Sequence, residues 1–338
     1  MKFESNLHFQ PGELKRIIIL GAGAQLLIVS DFCALHNLKL QIYTGERHRD
    51  IRLPSGNRLF EELEKRGRPV CFCDHLDSVN QGPFETADNE TLIISFGSPF
   101  IIKQPLIDLY HGRVINSHGA PLPEFRGGGG LTWRFLAGDT RGAVLFHRIT
   151  TIIDDGAVLY RRDFEFPWPV QSVKDWLEVD EKEQELGLKD FLSRLIAGEE
   201  FSEAHQDESK ITYFPRLNTD THAFIDFSWP GEMIARFIGA FSDPYSGASA
   251  FISEDRVRIF SSEFVPNDSL QHPFLYGLVT RIHIGICWII CKDGVLKVPE
   301  QSLHPLGKVK LGDRLYTPAE FLDSAFKTRI VYTPKGVK

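Results

Sequence analysis

The sequence predicts an α/β protein in which a mostly parallel sheet precedes a smaller, mostly β C-terminal region. Continuous apolar runs at residues 17–20 and 91–95 are typical of parallel strands that are covered on both faces. Segments with helical apolar spacing alternate with these runs, as in β-α-β units. Beyond residue 250, short strand-like segments separated by Asp-Gly and by prolines indicate a small barrel or sandwich. The N-terminal domain is therefore expected to be Rossmann-like.

A β-α-β unit opens the chain. Its helix is predicted over residues 24–36 and its second strand over residues 38–43. Gly21 and Gly23, between the first strand and the helix, are similar to part of a dinucleotide-binding motif, but the third glycine position of that motif holds Leu26. We therefore interpret the glycine pair as a tight strand-to-helix turn.

The remaining helices and strands are predicted from helical apolar spacing and from strand-like apolar runs. Helices are predicted at 59–66 and 173–198, and strands at 69–73, 91–95, 143–149, 157–166, 256–260, 285–291, 295–298 and 314–316. Residues 1–205 are expected to form the Rossmann-like domain, and residues 206–250 a linker and helix that continue it. Residues 251–338 are then the C-terminal domain.

Composition excludes several classes of protein. The 338 residues carry a formal net charge of -7, which argues against nucleic acid as a partner. The five cysteines, an odd number, favour a reducing compartment over a disulfide framework. The first eight residues are polar and offer no signal peptide, and the apolar stretch at 16–29 is too short to span a bilayer. We expect a cytoplasmic protein that does not contact a membrane.

Polar residues cluster where two predicted strands end. Asn116 and His118 are two residues apart in an extended segment, so their side chains should share one face. A proline- and glycine-rich loop follows, and the acidic pair Asp154 and Asp155 comes directly after the strand at 143–149. Open α/β sheets place their sites at such strand ends.

These residues carry a resemblance to a known family. Asn116-Ser-His118, the loop Leu122-Pro-Glu-Phe-Arg-Gly127, and Asp154 thirty-six residues after the histidine, with Gly156 closing an Asp-x-Gly turn, occur in that order. The pattern resembles the N10-formyltetrahydrofolate-dependent formyltransferases.

The resemblance implies roles for the three polar residues. Asn116 would polarise the formyl carbonyl, and His118 would act either as the base that takes a proton from the amine or as a cation beside the oxyanion. Asp154 would orient His118 and raise its pKa, or accept the proton through a water molecule, with Asp155 as the competing candidate. N10-formyltetrahydrofolate would be the co-substrate, and no metal is expected.

A folate-binding loop is also implied after the strand at 91–95. In the family, the loop at this place binds the pterin ring mainly through main-chain groups. The residues expected to contact the cofactor are Phe96, Gly97, Phe100, Ile101, Ile102 and Asp155.

The acceptor that the resemblance favours is a nucleotide-linked amino-deoxy sugar, formylated on its primary amine for surface glycan synthesis. Methionyl-tRNA is an alternative, but the acidic balance disfavours it. Hydroxyornithine or another small amine is a further alternative. The fold could also serve as a binding or dimerisation module without turnover, and a homodimer is possible.

Overall fold

The structure, a computed structural model, describes residues 6–53, 55–76 and 89–337. The first five residues, part of the segment in which no signal peptide was expected, lie outside this range. The strands of the N-terminal half are β1 (Asn6–Leu7), β2 (Arg16–Gly21), β3 (Lys39–Thr44), β4 (Val70–Phe72), β5 (Thr91–Phe96), β6 (Val114–His118), β7 (Arg126–Gly127), β8 (Arg141–Arg148), β9 (Val158–Glu165), β10 (Phe201–Ser202) and β11 (Tyr213–Phe214). The helices of this half are α1 (Gln25–Leu35), α2 (Leu59–Lys65), α3 (Gln104–Leu109), α4 (Gly130–Ala137), α5 (Val173–Ile196) and α6 (Thr219–His222).

A seven-stranded sheet forms the N-terminal domain in the order β4-β3-β2-β5-β6-β8-β9. The first five strands in this order are parallel, and β8 and β9 are antiparallel to their neighbours. Ile17 and Ile19 pack on one face of β2, whereas Ile18 and Leu20 pack on the other. Because successive side chains of a strand alternate between faces, a continuous apolar run is what a sheet covered on both faces requires. This confirms the predicted Rossmann-like class.

The turn after β2 is as tight as the glycine pair predicted. Gly21 has a φ of +127°, and a Cβ at this position would lie 2.1 Å from the Phe96 carbonyl oxygen. The backbone N–H of Ala22 donates to that same oxygen at 2.9 Å. The glycine therefore allows the ends of β2 and β5 to approach each other.

The C-terminal region is mostly β, as predicted. Its strands are β12 (Ala248–Ile252), β13 (Asp255–Ile259), β14 (Glu263–Pro266), β15 (Val279–His283), β16 (Ile286–Cys291), β17 (Gly294–Pro299), β18 (Leu303–His304), β19 (Tyr332–Thr333) and β20 (Gly336–Val337), and its helices are α7 (Gly231–Ala240) and α8 (Ala319–Lys327). Two antiparallel sheets, β12-β13-β18 and β14-β17-β16-β15, line one apolar core.

One strand predicted in this region is absent. Residues 314–316 do not form the expected strand, because Arg314 and Tyr316 make only isolated bridges, to Leu278 and Phe251. The C-terminal core also includes Trp176 of α5. The limits 1–205, 206–250 and 251–338 stay predictions.

The segment after residue 205 pairs with the loop that follows β6. β11 runs parallel to β7, so that Tyr213 lies opposite Arg126 and Phe214 opposite Gly127. The Phe214 ring stacks on Phe125 with the ring centroids 5.1 Å apart. β11 thus holds the proline- and glycine-rich loop in place beside the sheet.

Within the described part of the chain, no helix is both long and apolar enough to cross a bilayer.

Candidate active site

Asn116, His118 and Asp154 meet at the end of β6. The Asn116 amide nitrogen lies 3.4 Å from Asp154 Oδ1, and His118 Nδ1 lies 3.7 Å from Asp154 Oδ2. The His118 and Asp154 side chains are only 11% and 13% exposed. The structure therefore brings together an amide, an imidazole and a carboxylate that are mostly shielded from water.

The hydrogen bonds of His118 define its neutral tautomer. Its Nε2 lies 2.8 Å from the Phe125 carbonyl oxygen, which can only accept, so Nε2 carries the hydrogen. In the neutral ring, Nδ1 is then the basic nitrogen, and it faces Asp154. Burial lowers the pKa of His118 below its usual value of 6.5, although the charge of Asp154 opposes that shift. His118 is consequently neutral near pH 7.

A second histidine that the sequence reasoning missed lies in the same cluster. The antiparallel pairing of β6 and β8 sets His147 opposite Asn116. Its Nε2 lies 3.1 Å from the Asn116 amide nitrogen and 3.5 Å from Asp154 Oδ1. Its Nδ1 lies 2.8 Å from the Arg148 carbonyl oxygen, so in the neutral ring Nδ1 carries the hydrogen and Nε2 accepts from Asn116. His147 therefore fixes which way the Asn116 carboxamide points.

Asp154 lies in a turn that hydrogen bonds from Gly127 and Gln206 stabilise. Its φ is +53°, and the Gly127 N–H donates to its Oδ2 at 2.8 Å. The Gln206 amide donates to the carbonyl oxygens of Asp154 and Gly156, at 2.8 Å each. Gln206 is a second residue that the sequence did not indicate.

The carboxylate of Asp154 is stabilised in its charged form. Burial opposes ionisation, but a hydrogen bond from protonated His147, the charges of protonated His118 and His147, and the Gly127 N–H outweigh it. Together they lower the pKa of Asp154 to about 2. The site thus keeps a fixed negative charge beside two imidazoles.

Asp155 and Arg126 lie beside this cluster and pair with each other. Arg126, 6% exposed, donates from Nη1 to Asp155 Oδ1 at 2.6 Å and from Nε and Nη2 to Gln206 Oε1 at 3.1 and 2.9 Å. The guanidinium thus links the loop before α4 to the turn that carries Asp154. The choice of Asp154 rather than Asp155 as the catalytic carboxylate stays a prediction.

Most side chains of the expected folate loop are buried. Phe96, Phe100 and Ile102 are 4%, 8% and 8% exposed and pack into the sheet core, whereas Ile101 is 78% exposed. Gly97 adopts a φ of +53°. Apart from Ile101, these residues offer a ligand their main-chain groups rather than their side chains.

The three ionisable groups could in principle ligate a cation. One atom each from His118, His147 and Asp154 lies within 4.8 Å of the others. The sequence did not indicate this cluster, because His147 becomes a neighbour of His118 and Asp154 only through the pairing of β6 and β8. The absence of a metal from the chemistry stays a prediction.

Two models of one protein family match this chain. The model described as formyl transferase matches residues 86–174, and the model described as formyl transferase, C-terminal domain, matches residues 218–313. Together they span more than half of the sequence.

Solved structures share the fold. One is WlaRD, a sugar 3N-formyl transferase determined in the presence of dTDP and 5-N-formyl-THF; it is 18% identical, with a TM-score of 0.62 over 85% of this chain and 97% of that one. Another is an N-formyltransferase from Helicobacter canadensis in complex with folinic acid and dTDP-3-aminofucose, which is 16% identical, with a TM-score of 0.62 over 85% and 98% of the two chains. HypX from Aquifex aeolicus, in complex with tetrahydrofolic acid, is 19% identical, with a TM-score of 0.50 over 84% of this chain and 43% of that one.

Proposed function

The chain belongs to the formyl transferase family, and on that premise we propose that it transfers a formyl group from N10-formyltetrahydrofolate to the primary amine of a nucleotide-linked amino-deoxy sugar. The observation that carries the proposal is the convergence of Asn116, His118 and Asp154 in one shielded cluster. Formyl transfer needs a donor for an oxyanion and a base for an amine proton, and this cluster offers both.

We assign the oxyanion contact to Asn116. Attack of the amine nitrogen on the formyl carbon produces a tetrahedral intermediate whose oxygen carries a negative charge. The Asn116 amide has two N–H groups; one is directed to His147 Nε2 at 3.1 Å, and the other makes only a long contact of 3.4 Å to Asp154. The second N–H is the one that the formyl oxygen would engage.

We assign the base to His118. Its Nδ1 is the basic nitrogen and is held beside a carboxylate that stabilises the imidazolium formed when it takes the amine proton. Collapse of the intermediate breaks the bond between the formyl carbon and N10, and the proton returns to the departing folate nitrogen. The lowered pKa of His118 favours the base over the cationic role that the sequence left open.

Activity should decline on the acid side of neutrality. Because the neutral form of His118 is the active one and its pKa lies below 6.5, kcat should hold near pH 7 and fall as the pH drops through that lowered pKa. The pH dependence of kcat is measured with two acceptors whose amines have different pKa values. The part of the profile that is the same for both acceptors reports a group of the enzyme, because a contribution from the amine would shift with the acceptor. A kcat that rises as the pH falls below 6.5 would instead indicate a cationic His118.

His147 is expected to act as a positioning residue for Asn116. Leucine in its place removes the hydrogen-bond acceptor that lies 3.1 Å from the Asn116 amide nitrogen. We expect kcat to fall about ten-fold, which corresponds to one net hydrogen bond, with little change in KM. Glutamine retains an acceptor and should recover most of that loss. An unchanged kcat in the leucine variant, with thermal stability preserved, would remove His147 from the mechanism.

The acceptor assignment is supported by two observations. Solved structures with this fold include sugar formyltransferases crystallised with dTDP or a dTDP-linked amino sugar. The net charge of -7 disfavours an extended contact with tRNA phosphates. Cytoplasmic location and a homodimer stay predictions.

A panel of amines tests the proposed acceptor. N10-formyltetrahydrofolate is mixed with several nucleotide-linked amino sugars, charged methionyl-tRNA and hydroxyornithine, and tetrahydrofolate release and product mass are followed. Formylation of a nucleotide-linked sugar is the expected result. Formylation of tRNA or hydroxyornithine alone would retain the chemistry and overturn the acceptor, and no transfer to any amine, with folate still bound, would favour a binding module.

A further inference from the structure

Two arginines from distant parts of the chain converge on one aromatic ring. Arg47 lies in the short 3₁₀ turn Glu46–His48 that follows β3, and Arg216 follows β11. Their guanidinium carbons lie 5.8 and 5.0 Å from the ring centroid of Tyr332 in the C-terminal hairpin β19–β20. Both cations thus lie close to one aromatic ring, which stabilises each of them modestly.

No carboxylate neutralises this pair within the residues described. Neither guanidinium forms an ion pair there, in contrast to Arg49, which pairs with Glu46 at 2.6 Å. Burial, followed by the charge of Arg216, lowers the pKa of Arg47. Two like charges held close together without an acid raise the local positive potential, and an anion would relieve it.

The surrounding contacts hold Arg47 in position. Its Nε donates to His48 Nε2 at 3.0 Å, and its Nη1 donates to the Thr333 carbonyl oxygen at 3.3 Å. Its backbone N–H donates to the Pro334 carbonyl oxygen at 3.0 Å. Burial, and then the charges of Arg47 and Arg216, lower the pKa of His48 to about 4, so this ring adds an acceptor rather than a third charge.

Arg216 lies beside the glycine-rich loop that contacts the candidate active site. The Arg216 side chain lies against Gly128, where an added Cβ would come within 3.0 Å of Arg216 Nε and 3.2 Å of its Cβ. The preceding residue, Gly127, donates its N–H to Asp154. Arg216 is exposed, so a ligand that reaches Asp154 along the glycine-rich loop can also reach its guanidinium.

We infer that Arg47 and Arg216 form a binding site for the diphosphate of the acceptor, an inference that rests on the proposed function. Guanidinium groups bind phosphate oxygens through paired N–H donors, and two of them match the two phosphates of a nucleoside diphosphate. The hairpin β19–β20 contributes the Tyr332 ring and two carbonyl groups that orient Arg47. The site thus draws on three segments that are far apart in sequence.

Binding of dTDP, UDP and inorganic pyrophosphate to the full chain tests this inference. Arg216→Met should raise the Kd of dTDP or UDP about ten-fold or more, and Arg216→Lys should raise it less because one charge remains. Arg47→Met should have a similar effect. Arg281→Met is the matched control, since Arg281 is also exposed and stacks on an aromatic ring, Trp288 at 4.9 Å, in the C-terminal sheet.

The readouts separate this inference from the proposed function. A raised KM for the sugar nucleotide in Arg216→Met, with kcat and the KM for folate little changed, supports the diphosphate site. Diphosphate affinity that is equal in Arg216→Met, Arg47→Met and Arg281→Met overturns it even if the sugar is formylated. Diphosphate binding that depends on both arginines, in a protein that formylates no nucleotide sugar, supports the site and overturns the acceptor.

Discussion

Alanine in place of Asn116 is expected to lower kcat by roughly 10²–10³, the effect seen when one oxyanion donor is removed from other acyl-transfer sites. The expectation follows from the geometry, since the Asn116 amide is already oriented by His147 and has an N–H that makes only a 3.4 Å contact with Asp154. Because the donor acts on charge that develops in the transition state, KM for both substrates should change little.

Single-turnover kinetics of the Asn116→Ala variant measure this loss. Asn57→Ala is a suitable control, because Asn57 is exposed and its amide contacts only Glu62, at 3.3 Å. Equal rates for the Asn116 and Asn57 variants would show that the oxyanion donor is another group.

Asparagine in place of Asp154 should have a comparable or larger effect, a loss of about 10²–10⁴ in kcat. The substitution preserves the shape of the side chain but removes the charge that stabilises protonated His118 across 3.7 Å. Without that charge the pKa of His118 should fall further, since Asp154 is the main influence that raises it. The acid limb of the pH profile should accordingly move to lower pH.

The neighbouring acid provides the matched comparison for Asp154. Asp155→Asn weakens an ion pair with Arg126 at 2.6 Å, so a lower melting temperature is expected with a much smaller loss of kcat per folded molecule. A larger kcat loss for Asp155→Asn than for Asp154→Asn would reverse the assignment of the two acids.

The elements with the strongest periodicity were predictable from the sequence. The strand expected at 91–95 is Thr91–Phe96, and the helix expected at 173–198 is Val173–Ile196. The strand is a continuous apolar run and the helix has apolar residues at helical spacing over its length. Tertiary contacts reinforce both patterns rather than override them. The expected strand at 314–316 is too short for its pattern to decide the outcome, and its backbone finds only isolated partners.

The candidate site was predictable only where its residues lie close together in sequence or match a motif. Asn116 and His118 share a strand, and Asp154 was identified by its distance from the histidine. His147 sits in an apolar run, and its role depends on the register of β8 against β6, which a single sequence does not define. Gln206 reaches Asp154 from fifty-two residues away, and no local pattern signals that contact.

The same limit applies to the arginine pair. Arg47, Arg216 and Tyr332 belong to three segments with no shared motif, and only the packing of the C-terminal hairpin against the turn after β3 joins them. In the expected folate loop, the sequence did not indicate that the side chains of Phe96, Phe100 and Ile102 are buried in the sheet core. Their expected contact with the cofactor stays a prediction.

Transfer of a labelled formyl group from the folate to the sugar amine is the decisive experiment for the proposed activity. The protein is incubated with N10-formyltetrahydrofolate labelled with ¹³C in the formyl group and with a dTDP-linked amino sugar, and the product is analysed by mass spectrometry and NMR. We predict one labelled formyl group on the sugar amine, at a rate that the Asn116→Ala and Asp154→Asn variants reduce by at least about a hundred-fold. An unlabelled sugar, or a labelled product that both variants form as fast as the unsubstituted protein, would contradict the proposed activity and its assignment to these residues.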